Sequence, residues 1–186
     1  MTRAKGLLAI CCFTVLGLGG AYFYGITPHH SFAPPDSPQA LLDRADTLSW
    51  GNKWVEARPL YARAQKLYTA QGQPAKALYA EASQAVPNES ISVEGKILRL
   101  TQDLSRPEAQ DPETKLRILT IRGMLETNFD AAEARATWVQ VAQMASQQHH
   151  YELATRAGGE QGIAAFLLGN IDVAKKKVVT ALTLRR

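Results

Sequence analysis

The stretch GIAAFLLGNIDVAKKKVVTAL, residues 162–182, holds the architecture of the chain in miniature. Two runs of good helix formers are separated by Gly169-Asn170, a pair that breaks helices. Gly162 in the first run is followed in the second by Ala174, Val178 and Ala181, at steps of 12, 4 and 3. A small residue midway along one helix lets the next helix approach closely, and residues spaced by four and three continue one stripe of that second helix. The same steps recur near the beginning, where Ala45 is followed by Ala57, Tyr61 and Ala64.

Between these two pairs the chain is rich in Ala, Leu, Gln, Lys, Arg and Glu, with almost no strand signal. Breakers divide it into predicted helices near 38–50, 53–71, 74–86, 91–105, 112–128, 131–147, 150–168 and 171–184. Short turns between them predict antiparallel helical hairpins. A third pair is looser: Leu119 and Gly123, then Ala134, Trp138 and Val141, with one residue missing between the halves. The second pair is the poorest, with Leu78, Ala82 and Ala85 followed by Ile97, Leu100 and Leu104. Pro59 falls inside the second helix, where it should kink the helix or delay its start. Gly158-Gly159 falls inside the seventh, where close packing against a neighbouring helix is the expected reason for two glycines.

This pattern resembles the tetratricopeptide repeat, whose unit sets small residues in helix A against alanine, aromatic and alanine in helix B. The resemblance covers residues 38–186, is clearest at both ends, and implies an all-α right-handed superhelix. Stretches such as ALYAEAS (77–83) and ETKLRILTIRG (113–123) are also similar to the repeat regions of bacterial membrane-associated sensor proteins. In those proteins the repeats precede a diguanylate-cyclase or histidine-kinase module. The resemblance implies a scaffold or adaptor for protein–protein interaction. The alternative is the truncated sensory input region of such a signalling protein.

Residues 6–26 form an uncharged stretch of 21 residues. As a helix it would span ~32 Å, the thickness of a bilayer's hydrocarbon core. Arg3 and Lys5 precede it, while Tyr22, Phe23 and Tyr24 stand near its far end. That arrangement predicts a hydrophobic N-terminal helix anchored with its N-terminus in the cytoplasm and the repeat domain on the periplasmic side. A cleaved signal peptide ending near Gly19-Gly20-Ala21 is the rival, and it would release a secreted product. Residues 1–27 are thus the anchor or signal, 28–37 a Pro-rich linker, and 38–186 the helical domain.

Composition narrows the chemistry. The chain has 186 residues, 46% of them hydrophobic, with 21 Lys and Arg against 17 Asp and Glu, a formal charge of +4. That is too weakly basic for a nucleic-acid-binding domain. Cys11 and Cys12 both lie in the leader, so the helical domain has no thiol ligand. The histidines come as His29-His30 and His149-His150, and adjacent helical residues point too far apart to share one metal ion. The carboxylate pairs Asp43/Asp46 and Glu126/Asp130 have helical spacing and are expected to be solvated or salt-bridged. No catalytic, cofactor or metal site is expected.

Binding is expected on the face lined by the first helix of each pair. The register places Gln39, Leu42 and Asp46 there, then Lys76, Tyr79 and Ser83, then Arg117, Thr120 and Met124, then Arg156, Ile163 and Phe166. Lys76, Tyr79, Arg117, Arg156 and Phe166 are the candidate partner-binding residues, with the three cations forming a ladder suited to an acidic segment or a C-terminal carboxylate. Trp138 is expected in the core, and one of Trp50 and Trp54 is expected to be partly exposed. The last helix carries Lys175, Lys176 and Lys177 as a solvated run, and no capping helix follows it, which suggests self-association.

Overall fold

The computed structural model describes residues 36–86 and 90–184. The expected leader, and most of the expected linker, lie outside the described residues. Among the described residues no helix is long and apolar enough to cross a membrane. The described part is one compact all-helical unit. Its α-helices are α1 (Pro38–Trp50), α2 (Trp54–Ala70), α3 (Pro74–Ala82), α4 (Val93–Asp103), α5 (Pro112–Glu126), α6 (Ala131–Gln147), α7 (Tyr151–Leu167) and α8 (Ile171–Leu184), with a 3₁₀ turn at Pro107–Gln110.

Side-chain oxygens start four of these helices by accepting otherwise unpaired first-turn amides. Ser37 accepts from Ala40 N (3.2 Å), Ser92 from Gly95 N (3.1 Å) and Asp111 from Thr114 N (2.8 Å). Asp130 serves α6 in the same way, accepting from the amides of Ala132 and Glu133.

Four of the connections are one turn used repeatedly. The middle residue of each is left-handed: Asn52 (φ 63), Gly72 (φ 66), His149 (φ 62) and Gly169 (φ 77). The following amide then closes onto the preceding helix, as in Lys53 N to Leu48 O (2.8 Å), Gln73 N to Tyr68 O (2.9 Å), His150 N to Ala145 O (2.8 Å) and Asn170 N to Ala165 O (2.9 Å). This is the Schellman arrangement, which satisfies carbonyls that the ending helix leaves free. The α5–α6 connection is different: Asp130 N reaches Glu126 O at 2.7 Å and no left-handed residue intervenes. This connection, residues 127–130, is one residue longer than the three-residue turns. The 12-4-3 spacing loses its residue because α5 ends three residues after Gly123, where α1 and α7 run five past Ala45 and Gly162.

Packing follows the small-residue stripes. Ala45, Ala57, Tyr61 and Ala64 are all fully buried, as are Ala134, Trp138 and Val141. A Cβ on Gly123 would come 3.0 Å from the Trp138 ring, and one on Gly162 would come 3.0 Å from Val178 Cγ2. The close crossings are therefore at Gly123 and Gly162. The expectation of close packing at Gly158 is wrong, because a Cβ there would have nothing within 4 Å, and one on Gly159 would make only ordinary contact with Ala181. Helix α2 runs unbroken from Trp54 through Pro59. Pro59 lies on the exposed side, so the carbonyl deprived of its partner can turn to water.

Three apolar clusters follow one another along the chain. The first joins Leu41, Leu42, Tyr61, Tyr68 and Ala77 from α1, α2 and α3. The second joins Trp54, Leu78, Leu100, Ala109, Ile118 and Ile121. The third joins Leu116, Leu119, Trp138, Val141 and Ala157 from α5, α6 and α7. Helix α5 thus supplies both the second and the third cluster, and none of residues 114–126 is exposed.

The second pair does not form a hairpin like the others. Helix α3 packs on α2 and α5, α4 packs on α5, and the 3₁₀ turn carries Ala109 into the gap between α3 and α5. The expected helix over 74–86 stops at Ala82, where the Ser83 hydroxyl donates back to Tyr79 O (2.8 Å) and the Gln84 amide donates to Ala80 O (3.1 Å). Glu126, expected on an exposed face, is buried. It pairs with Arg122 (2.8 Å) and accepts from the Thr137 hydroxyl (2.6 Å). Its expected companion Asp130 is the α6 cap.

Candidate functional site

A groove of about 680 Å³ runs across α1, α3, α5 and α7. Its walls come from the first, third, fifth and seventh helices and the turns beside them, with Trp54 at the start of α2 added. Nine of the twelve positions assigned to this face by register line it; Ser83, Ile163 and Phe166 do not.

Arg117 is the centre of this surface. It sits on α5, is only 13% exposed, and reaches groups on three other helices. Its Nε donates to Ser83 Oγ (2.8 Å), and Nη2 donates to the Tyr61 hydroxyl and approaches Ser49 Oγ (3.3 Å). Nη2 also lies 3.4 Å from Asp46 Oδ1. The rings of Trp54, Tyr61 and Tyr79 surround the guanidinium, with centroids at 5.7, 5.4 and 5.2 Å. Asp46 completes the set, accepting from the Tyr61 hydroxyl (2.6 Å) and the Tyr79 hydroxyl (3.0 Å).

The electrostatics follow from this enclosure. Burial is the main cause raising both the Tyr61 and the Tyr79 hydroxyls above the ordinary phenol range; the Arg117 charge opposes it, and Asp46 adds to it. Burial alone would lower Arg117, but the two tyrosines and Asp46 outweigh it and hold the guanidinium charged.

The other candidates are placed more openly. Lys76 donates to Gln39 Oε1 (3.0 Å) and lies 5.3 Å from the Tyr68 ring centroid. Arg156 stacks over Trp50 at 5.1 Å and approaches Glu160 at 3.7 Å. Phe166 is 60% exposed on α7, outside the groove. The structure therefore brings Lys76, Tyr79, Arg117 and Arg156 to one groove and leaves Phe166 apart. Trp138 is in the core, while Trp50 is half-exposed and Trp54 is buried.

Sequence reasoning missed Trp50, Tyr151 and Glu152 as groove residues, although they flank turns already recognised as helix boundaries. His149 and Tyr151 hydrogen-bond to each other (2.9 Å) at the rim. Among the described residues no group of three or more His, Cys, Asp or Glu is placed to hold a metal ion. No protein-family model, curated protein or solved structure matches the chain.

Away from the groove, α8 is the least covered helix. Of its described side chains only Ala174 is buried, and Ile171, Val173, Val178, Val179 and Leu182 stand exposed beside the solvated Lys175, Lys176 and Lys177.

Proposed function

We propose that the chain is a non-catalytic adaptor of tetratricopeptide-like form, a right-handed superhelix of hairpins that holds a segment of another protein in the groove across α1, α3, α5 and α7. The observation carrying this reading is that alternate helices line one continuous groove, to which the intervening helices add only Trp54 at the start of α2. In a stack of hairpins that geometry belongs to the inner face, where such arrays bind their partners. Arg117 and Asp46 fix the groove floor by tying four helices together, so the surface is formed before a partner arrives, which lowers the ordering cost of binding. The leader at residues 6–26 anchors the domain to a membrane and presents it on the periplasmic side.

A photo-crosslinking residue at Tyr151, on the groove rim, and another at Arg135, on the exposed side of α6, test the reading in the membrane-bound full chain. A partner captured from Tyr151 and not from Arg135 supports it. Equal capture at both positions, or none at either, rejects it. Protease protection of the helical domain in spheroplasts would reject the periplasmic placement.

A further inference from the structure

The groove has the opposite sign to the chain that builds it. The whole chain has a formal charge of +4, yet the groove is lined by five Asp and Glu against three Lys and Arg. Two of those cations are already engaged. Arg117 is held by Asp46 at 3.4 Å, and Arg156 is 3.7 Å from Glu160 with its guanidinium over the Trp50 ring. Among the described residues Lys76 has no carboxylate within ion-pair distance, and Asp43, Glu113 and Glu152 are exposed with no cation within that distance. An incoming chain therefore meets three exposed carboxylates and one ammonium that lack an ion-pair partner, Asp43 and Lys76 being held only by the neutral Gln39 side chain.

The aromatic lining points the same way. Tyr151 and Trp50 are 66% and 51% exposed at the groove. The protein's own arginines already sit on such rings, Arg156 over Trp50 and Arg117 among Trp54, Tyr61 and Tyr79 with the Asp46 carboxylate closing the set. A guanidinium gains from a ring face and a carboxylate together, because its flat cation stacks while its edge donates.

We infer that the groove takes a cationic protein segment, whose Lys and Arg side chains meet Asp43, Glu113 and Glu152, with arginine favoured by the exposed Tyr151 ring. This rests on the groove-binding reading above and names its ligand class. It reverses the preference for an acidic segment that the Lys76, Arg117 and Arg156 ladder suggests when those residues are considered without their carboxylate neighbours.

Two pools of labelled peptides test it, alike except that alternate positions are Arg or Lys in one and Asp or Glu in the other. Each is titrated into the full chain in zwitterionic detergent and followed by fluorescence anisotropy. The basic pool is expected to bind about tenfold tighter or more, and to weaken as salt rises. Asp43→Lys/Glu113→Lys/Glu152→Lys, all at exposed positions, should reverse the preference with cooperative unfolding retained. The melting temperature should fall by only the few degrees expected when lysines replace Glu113 and Glu152 in the first turns of α5 and α7. If the acidic pool binds as well or better and loses affinity in Lys76→Glu, the inference falls while the groove remains a peptide site. If neither pool binds, the groove reading falls with it. Basic-pool binding undiminished in the triple variant places the cations elsewhere and overturns the inference.

Discussion

Replacing Arg117 by methionine should cost the fold about 3 kcal/mol, the low end of the ~3–5 kcal/mol lost when one partner of a buried ion pair is removed. Methionine keeps the apolar stem and its contact with the rings, so the change isolates the guanidinium. The low end applies because the Asp46 side chain is 34% exposed and can regain water once the cation has gone. The reverse change, Asp46→Asn, strands a guanidinium that is only 13% exposed, and it should cost at least as much. The Arg117→Met/Asp46→Asn double variant leaves neither charge stranded, so it should lie about 1–3 kcal/mol above the sum of the singles. Thermal and urea unfolding of the full chain, followed by circular dichroism, reads these differences. A loss of about 3 kcal/mol corresponds to a fall of ~6–12 °C for a domain of this size. A drop under ~2 °C for Arg117→Met, or strict additivity in the double variant, would refute the idea that this pair locks the four helices.

Gly158→Ala should stabilise the protein by about 0.5–1 kcal/mol, since the new methyl meets open space and the helix gains propensity. Gly162→Ala should destabilise it by about 1–3 kcal/mol, because its methyl would press on Val178, Lys177 and the Ala174 carbonyl. Urea midpoints moving the same way for both would show the two sites to be misassigned. His149→Gly should raise the melting midpoint, since it relieves ~1 kcal/mol of left-handed strain on a residue with a Cβ; a lower midpoint would mean that the His149–Tyr151 hydrogen bond outweighs that strain. Tyr61 and Tyr79 have hydroxyls raised above their unfolded value, so their stabilisation is complete below about pH 10 and is lost as pH rises beyond it. Stability should therefore fall on the alkaline side, and Tyr79→Phe should reduce that slope; an unchanged slope would remove Tyr79 from the explanation.

The helices were readable in the sequence because what makes them is local. Ala45, Ala57, Tyr61 and Ala64 announce a close crossing through spacing alone, and Gly169 announces its turn. His149 was harder to read, since a histidine in a left-handed turn looks like any other polar residue until its φ is known. The end of α3 depended on Ser83 and Gln84 bonding back to carbonyls one turn earlier, which competes with helix without leaving a spacing signature. Arg117 was placed on the correct face but with the wrong environment. Its partners Ser83 and Tyr61 lie 34 and 56 residues away, and no local rule enclosed an arginine in three rings. The groove's sign was hidden for the same reason, because its carboxylates come from α1, the start of α5 and the start of α7.

Helix α5 has a consequence for how the molecule opens. A helix with both faces committed and no exposed residue from 114 to 126 cannot fray away by itself. Releasing it dissolves the clusters on either side together, so the domain should open as one cooperative unit across its middle while α8 breathes freely. In hydrogen–deuterium exchange the amides around Ile118 and Ile121 would then be the last to take up label, even though they belong to the looser third pair and not to either end, where the repeat pattern is clearest.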